Sequence, residues 1–284
     1  MTGPRPVVDF VVIGAGKCGT TWLYELMRAH PNICESAVKE TLFFESYYEK
    51  GAGWYESHFD RVPVHHRAGE VSNTYIFCPA AAARIRSYNP AMQLVATVRN
   101  PVDRALSHYA WLRRNGRRLA PFMDHIAADD DILRRGEYFR HLTPYVETFG
   151  PGAIKVLVFE DLRRDPNAYA RQFLDFVGVS GEPTGFDETQ ARLPASAARS
   201  PLVARLLKRA AGLARRLGRP RLVQAVKDSF VARLAYRPLT ASEYPRISDA
   251  ERGQLADAYR ADVGHLSKLV GRDLGALWFG HGHR

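Results

Sequence analysis

The chain has 284 residues, of which 46% are hydrophobic and 25% are charged. This composition is close to the average for globular proteins, and it excludes the disordered and fibrous classes. The formal net charge of +10 at pH 7 favours acidic partners without saying which kind.

The cysteines and the apolar runs indicate where in the cell the protein is expected. Three cysteines occur at spacings unlike those of a zinc site, which predicts no structural metal and a reducing environment. The first residues lack the basic and apolar regions of a signal peptide. No apolar run reaches the ~18 residues of a membrane-spanning helix. We therefore expect a cytoplasmic protein.

Strand and helix patterns alternate along the first two thirds of the chain. Apolar, β-rich runs predict strands at 7–13, 67–72, 93–98 and 153–159. Helical periodicity predicts helices at 20–29, 80–88 and 101–114, helical segments from the end of the 153–159 strand to 177, and a helical C-terminal third from about residue 200. This order predicts an α/β fold with a mainly parallel sheet flanked by helices.

The excess positive charge is local. Residues 199–237 hold eleven basic side chains and one acidic side chain, Asp228, so this segment carries the whole net charge. Apolar residues recur in it at intervals of three and four, which predicts basic amphipathic helices broken near Pro220. Such helices either form an ordinary solvated face or dock on an anionic acceptor or an acidic membrane surface. Aromatic residues are nearly absent there, so we expect no nucleic-acid partner.

A glycine-rich loop joins the first predicted strand to the first predicted helix. Glycines let backbone N–H groups converge on an anion, and the helix N-terminus adds a partial positive charge. Lys17 adds a mobile point charge for phosphate oxygens. The pattern therefore predicts a phosphate-binding loop. The residues expected to contact the anion are Gly14, Gly16, Lys17, Cys18, Gly19, Thr20 and Thr21.

Two better-known phosphate loops compete with this interpretation. A Walker A loop places its lysine directly after the last glycine, whereas Lys17 lies two residues before Gly19. Residues 14–19 do match GxGxxG, and Glu35 and Glu40 lie near the distance at which a dinucleotide site expects its acid. A lysine within the turn, followed by two threonines, fits a loop that grips a phosphate better.

A second candidate anion site lies at the end of the strand predicted at 93–98. Arg99 directly follows this strand, at the edge where open α/β sheets bind ligands, and Ser107 lies two turns into the next helix. One guanidinium and one hydroxyl can hold a phosphate monoester, although Arg99 alone is equally consistent with an ion pair. Together with the loop, this site indicates a nucleotide that carries phosphates at two positions.

These motifs resemble those of the sulfotransferases that use 3'-phosphoadenosine 5'-phosphosulfate (PAPS). Residues 14–22 resemble the family's 5'-phosphosulfate loop, and residues 98–109 resemble its 3'-phosphate motif, with Arg99 and Ser107 at the contact positions. Further parts of the chain resemble the heparan sulfate sulfotransferase branch and its bacterial relatives. They are 39–44, 51–55, Glu70, Tyr75, 88–90 and 153–166. The resemblance is good over residues 8–180. It implies one P-loop-like sulfotransferase domain over 1–284, with a nucleotide-binding α/β core at 7–180.

The resemblance also implies a reaction and roles for two residues. PAPS would be the co-substrate, no metal would be needed, and an acceptor hydroxyl would attack sulfur in line. As in phosphoryl transfer, positioning and charge stabilisation would do most of the work. Lys17 would neutralise charge that develops on the bridging oxygen. Glu40 matches the family's general base.

The chain departs from the heparan sulfate branch where that branch contacts its sugar. Leu42 replaces a histidine, Glu45 replaces an aspartate and Val71 replaces a lysine. The Lys-Gly-Arg loop near the C-terminus has no clear counterpart, and Arg192 or Arg199 is the candidate replacement. An acceptor other than heparan sulfate is therefore expected: a carbohydrate, a lipid headgroup or a small natural product.

Two other functions stay open at this point. A P-loop kinase-like phosphotransferase would use ATP, although no carboxylate for Mg²⁺ is evident at a strand end. A non-catalytic module would bind anions or the inner membrane face through residues 199–237. If Glu40 is not the base, His108 and Glu45 are the remaining candidates.

Overall fold

A computed structural model describes residues 7–59, 62–115, 117–184, 186, 196–198, 236–238 and 245–280. Its centre is a five-stranded parallel sheet in the order β2-β3-β1-β4-β5. The strands are β1 (Phe10–Gly14), β2 (Ile33–Glu35), β3 (Arg67–Val71), β4 (Gln93–Val98) and β5 (Ile154–Val158). The predicted α/β fold with a parallel sheet is confirmed. The three-residue β2 escaped prediction because it is too short to show a period.

Helices cover both faces of the sheet. The first six are α1 (Thr20–Ala29), α2 (Phe43–Ser46), α3 (Ala52–Glu56), α4 (Ala81–Tyr88), α5 (Pro101–Arg114) and α6 (Phe122–Ala128). The others are α7 (Asp131–Arg134), α8 (Tyr138–Phe149), α9 (Phe159–Arg164), α10 (Pro166–Val177), α11 (Asp249–Val270) and α12 (Leu274–Phe279). Short 3-10 turns lie at Tyr48–Lys50, Tyr75–Phe77 and Pro151–Ala153.

The C-terminal third is helical over α11 and α12, as predicted. Most of the basic segment at 199–237 lies outside the described residues. Its last two residues belong to a strand instead of a helix, because β7 (Tyr236–Pro238) pairs antiparallel with β6 (Ser196–Ala198). Among the described residues no helix is both long and apolar enough to cross a bilayer.

Strand β1 is the centre of the core, and all five of its residues are buried. Its side chains alternate between two apolar clusters, with Val11 and Ile13 in one and Phe10 and Val12 in the other. The Phe10 ring lies so close to β3 that a Cβ at Gly69 would overlap it. Glycine at this position therefore leaves room for the ring between β1 and β3.

The position of β1 between β3 and β4 determines where the functional groups lie. All five strands run parallel, so the segments that follow β1, β3 and β4 emerge at the same edge of the sheet. The loop after β1 is therefore flanked by the turn after β3 on one side and by the start of α5 on the other.

Candidate functional site

The glycine loop after β1 is shaped by close contacts that only glycine tolerates. Gly14 has φ +133°, and a Cβ there would lie 2.6 Å from the carbonyl oxygen of Asn73 and 2.7 Å from Ile76. Gly19 has φ +90°, and a Cβ there would lie 3.0 Å from the Phe159 ring. Both backbone conformations strain any other residue. The loop thus depends on these glycines for its path.

The loop is tied to both neighbouring strands. The N–H of Ala15 donates to Thr97 O of β4 (2.9 Å), and the N–H of Gly16 donates to Asn73 O after β3 (3.1 Å). Helix α1 then begins at Thr20 with Gly19 as its N-cap, and no side chain caps it. The first N–H groups of a helix have no partner within the helix and carry a partial positive charge. This arrangement suits an anion at the start of α1.

Positive side chains converge on the same place. Burial, followed by the charges of Arg114, Arg99 and Lys39, lowers the pKa of Lys17 to about 8. Lys17 itself has φ +75°, so its position in the loop is held against the usual preference of the backbone. Within the described part of the chain Lys17 has no carboxylate partner, so its charge is available to an anionic ligand.

Cys18 contributes to the wall of the loop rather than to its exposed surface. Its thiol is fully buried, and burial raises its pKa to about 11. The sulfur lies 3.5 Å from the hydroxyl oxygen of Tyr138, which donates to Arg99 O (2.9 Å). Tyr138 thereby links the loop to the segment after β4. It belongs to α8, which the sequence analysis did not predict.

Arg99 and Ser107 lie on the β4 side of the loop, as the sequence predicts. The guanidinium of Arg99 stacks over the Phe159 ring at 4.8 Å, and Ser107 is buried in α5. Asn100 caps α5 by accepting from the N–H groups of Val102 (3.0 Å) and Asp103 (3.4 Å). The cap fixes the start of α5 next to Arg99. It therefore fixes where Ser107 lies relative to that arginine.

Glu40 lies on the opposite, β3 side of the loop. Its backbone has φ +68°, and its N–H donates to Val71 O (2.9 Å). The side chain is 30% exposed and accepts from Asn73 Nδ2 at Oε1 (2.6 Å). The ammonium of Lys39 lies 3.7 Å from the same oxygen and donates to Thr21 Oγ1 (2.8 Å). Glu40 is thus connected through Lys39 to the start of α1.

A fully buried carboxylate, Glu70 of β3, lies beneath Glu40. Thr41 donates to it from its N–H (3.1 Å) and its hydroxyl (2.6 Å), and Tyr55 donates from its hydroxyl (2.7 Å). The hydroxyls of Tyr75 and Ser72 complete the set. None of these donors is a cation, so Glu70 is stabilised by hydrogen bonds alone. Glu70 is part of the family resemblance, but no sequence pattern predicts this network.

The two alternative bases, His108 and Glu45, lie in different environments. Burial and the charge of Arg104 lower the pKa of His108 to about 3. The guanidinium of Arg104 lies 3.2 Å from His108 Nδ1, so that nitrogen is engaged as an acceptor. Glu45 accepts from the Thr74 hydroxyl (2.5 Å). Of the two carboxylates, Glu40 is the one connected to the loop, through Asn73.

The dinucleotide alternative is not supported by the strand order. A dinucleotide fold places the acid-bearing second strand next to β1. Here β3 lies between β1 and β2, so Glu35 at the end of β2 is two strands from the loop. Arg192 and Arg199 lie outside the described residues. In the described ranges no group of three His, Cys, Asp or Glu side chains is arranged to hold a metal ion.

Comparison with known proteins gives consistent matches. The family model of the sulfotransferase domain matches residues 8–200. The membrane-associated sulfotransferase kil1 of Dictyostelium discoideum is 37% identical over 114 residues, which is 38% of this chain and 24% of that protein. The heparan sulfate glucosamine 3-O-sulfotransferase 3B1 of Mus musculus is 26% identical over 286 residues, with 96% of this chain and 66% of that protein covered.

A solved structure has a similar fold. The sulfotransferase from Alicyclobacillus acidocaldarius superposes with a TM-score of 0.67 at 24% identity, covering 95% of this chain and 98% of that one. This similarity concerns the fold. The curated relatives are longer than this chain, which spans 24% of the Dictyostelium protein and 66% of the mouse protein.

Proposed function

Because the chain belongs to the sulfotransferase domain family, we propose that it is an enzyme that transfers a sulfuryl group from PAPS to an acceptor hydroxyl. The observation that carries the proposal is the placement of opposite charges around one loop. The charge of Arg99 acts on Lys17 in the loop, while the Glu40 carboxylate lies on the β3 flank of the same loop beside Lys39. Several cations and one carboxylate around the loop suit an anionic donor and a hydroxyl acceptor.

The loop would hold the 5' end of PAPS. The N–H groups of residues 17–21, at the uncapped start of α1, would surround the anion, and the ammonium of Lys17 would lie against its oxygens. The N–H of Gly16 is not among them, because it donates to Asn73 O. The fit rests on the uncapped start of α1 and on the cations around it: Lys39 contacts Thr21 (2.8 Å), and the charges of Arg99 and Arg114 act on Lys17. A bound anion would relieve this repulsion.

Arg99 and Ser107 would hold the 3'-phosphate. Both lie on the β4 side of the loop, and Arg99 is positioned by the Phe159 ring and by the Tyr138 contact to its carbonyl. A guanidinium is suited to a phosphate because it donates two parallel hydrogen bonds. We propose that this second site distinguishes PAPS from nucleotides that lack the 3'-phosphate.

Glu40 would act as the general base. PAPS supplies the sulfuryl group, and the bond from sulfur to the bridging oxygen breaks as the acceptor oxygen attacks. Glu40 Oε1 is held by Asn73, so Oε2 would accept the hydroxyl proton. Lys17 would oppose the negative charge that grows on the departing bisphosphate.

The acceptor class is proposed more broadly. The name of the mouse relative specifies a glucosamine of heparan sulfate as the acceptor of that protein. In this chain Leu42, Glu45 and Val71 differ from the side chains of that branch, so we propose another acceptor. A glycan, a lipid headgroup or a small natural product fits a hydroxyl attack equally. A cytoplasmic location and a membrane contact through residues 199–237 stay predictions.

Two measurements test the proposed function. In calorimetry, adenosine 3',5'-bisphosphate should bind at least about tenfold more tightly than AMP, because only the bisphosphate occupies both anion sites. Radiolabelled PAPS incubated with a cell extract should transfer its label to a discrete acceptor fraction. Equal binding of the two nucleotides, or transfer of label from γ-labelled ATP with Mg²⁺ instead of from PAPS, would reject it.

A further inference from the structure

Asn73 contacts both the glycine loop and Glu40. It follows β3, and its carbonyl oxygen accepts the N–H of Gly16 (3.1 Å) while its side-chain Nδ2 donates to Glu40 Oε1 (2.6 Å). The other end of the same amide, Oδ1, lies over Gly16, where an added Cβ would be 3.6 Å away. One residue therefore spans the gap between the loop and the candidate base.

Glu40 needs such a support because its own backbone does not favour its position. A glutamate at φ +68° is in the left-handed region, which costs free energy unless neighbouring contacts compensate. The compensation comes from the segment that ends in Asn73: Val71 O accepts the N–H of Glu40 (2.9 Å), and Asn73 holds its carboxylate. Both ends of the residue are thus fixed from the end of β3.

The amide of asparagine has the right chemistry for this support. It donates a hydrogen bond but carries no charge, so it orients the carboxylate without neutralising it. Within the described part of the chain, the polar contacts of the Glu40 carboxylate, from Asn73 and from Lys39 at 3.7 Å, both go to Oε1. Oε2 is consequently the oxygen left to face an acceptor.

We infer that Asn73 is a positioning residue that holds the Glu40 carboxylate in register with the glycine loop. This inference rests on the proposed function, in which Glu40 is the base. It goes beyond that function because it states which residue holds the base, Glu40, in position relative to the loop that would bind PAPS. Asn73 does not itself touch the reacting atoms.

Kinetics of two variants test the role of the side chain. Asn73→Ala removes the amide but keeps the carbonyl contact to Gly16, so kcat for transfer from radiolabelled PAPS should fall about 10- to 100-fold, the range expected for a lost hydrogen bond to a charged group. The KM for PAPS should not change. Asn73→Asp has the same shape but places a second carboxylate against Glu40, so it should be at least as impaired. Asn167→Ala, at an exposed asparagine of α10, is the matched control.

A double-mutant cycle separates positioning from a general structural role. If Asn73 acts through Glu40, then Asn73→Ala should cause no further loss in a Glu40→Gln background. An equal loss in both backgrounds would overturn the inference, as would a parallel loss of affinity for adenosine 3',5'-bisphosphate. Asn73→Asp with the activity of the wild type would show that only shape matters, and would overturn it as well.

The same cycle in equilibrium unfolding distinguishes this inference from the proposed function. The contact between Asn73 and Glu40 predicts coupling of about fivefold or more in the unfolding constant, whatever the protein catalyses. The two claims can then fail separately. If the cycle shows coupling but the wild type does not use PAPS, the proposed function is rejected while the placement of Glu40 by Asn73 is supported. Absence of coupling in unfolding would overturn the inference even in an active enzyme.

Discussion

Lys17 and Arg99 belong to the segments that follow the neighbouring strands β1 and β4, and the charge of Arg99 acts on Lys17. The charge of Arg99 is one of the causes, after burial and Arg114, that lower the pKa of Lys17 to about 8. Like charges repel, and an anion bound at the loop would reduce this repulsion.

This relationship predicts a pH dependence of binding. In the free protein the protonated fraction of Lys17 falls as pH rises through its pKa of about 8. The charge of the phosphates is nearly constant above about pH 7, since their second pKa is near 6. Affinity for adenosine 3',5'-bisphosphate should therefore fall between about pH 7 and pH 9, by at most tenfold per pH unit. Calorimetry across this range measures it.

Lys17→Met gives the control for that prediction. This substitution should weaken binding of adenosine 3',5'-bisphosphate at pH 7. It should also remove most of the fall in affinity between pH 7 and pH 9. Lys50→Met, at an exposed lysine between α2 and α3, should leave the dependence unchanged. A pH dependence that persists in Lys17→Met would assign the titration to another group.

Arg99 is expected to determine selectivity for the 3'-phosphate. Arg99→Ala should weaken binding of adenosine 3',5'-bisphosphate by about 10- to 100-fold, because a hydrogen-bonded charge pair contributes about 1.5–3 kcal/mol. AMP binding should change by less than about twofold, since AMP uses only the loop. Calorimetry with both nucleotides measures the difference. A uniform loss for both would place Arg99 at the loop instead of at a second site.

Glu40→Gln is expected to remove transfer while leaving nucleotide binding intact. Glutamine keeps the size of the side chain and can still contact Asn73, but it does not accept the hydroxyl proton. Loss of a general base lowers rates by about 10²- to 10⁴-fold. Single-turnover transfer from radiolabelled PAPS and calorimetry with adenosine 3',5'-bisphosphate measure the two effects. Transfer at near the wild-type rate would exclude Glu40 as the base.

Glu70 is expected to matter for stability. Glu70→Gln keeps the volume but presents an amide to hydroxyl and N–H donors, so the free energy of unfolding should fall by about 2–4 kcal/mol. Glu25→Gln is a surface control: Glu25 forms an exposed ion pair with Arg28 at 3.2 Å, and its replacement should cost less than about 1 kcal/mol. Urea unfolding measures both. Equal effects would mean that the buried network contributes little.

The local architecture was predictable because it rests on short-range patterns. The loop, α1 and Arg99 follow from a strand, a glycine run and a helix in sequence, and the structure places them as expected. The stripe of Trp22, Leu23, Leu26 and Met27 is buried, as its helical spacing predicts.

The contacts across the site were not predictable in the same way. Asn73 and Tyr138 meet the loop, and Thr41, Tyr55 and Tyr75 meet Glu70, only through the tertiary fold. The resemblance includes Tyr75 and the stretches 39–44 and 51–55, but it does not predict these contacts. One signal was present for Asn73: it closely follows a strand parallel to β1, so it must emerge at the same edge as the loop. Helix α8 was missed although its apolar residues face the core, since Pro144 in its interior argues against a helix.

The central place of β1 has a practical consequence for engineering. The groups proposed for the nucleotide come from the β1–β4 side of the sheet, whereas Glu40 and the aromatic residues after it come from the β3 side. Changes to the stretch at 42–59 reach the core as well as the site, because Phe43, Phe44 and Tyr55 are buried and Tyr55 donates to Glu70. An engineer who wants a different acceptor should therefore keep these three residues and vary the exposed positions at 49–53, which leaves both the core and the loop after β1 untouched.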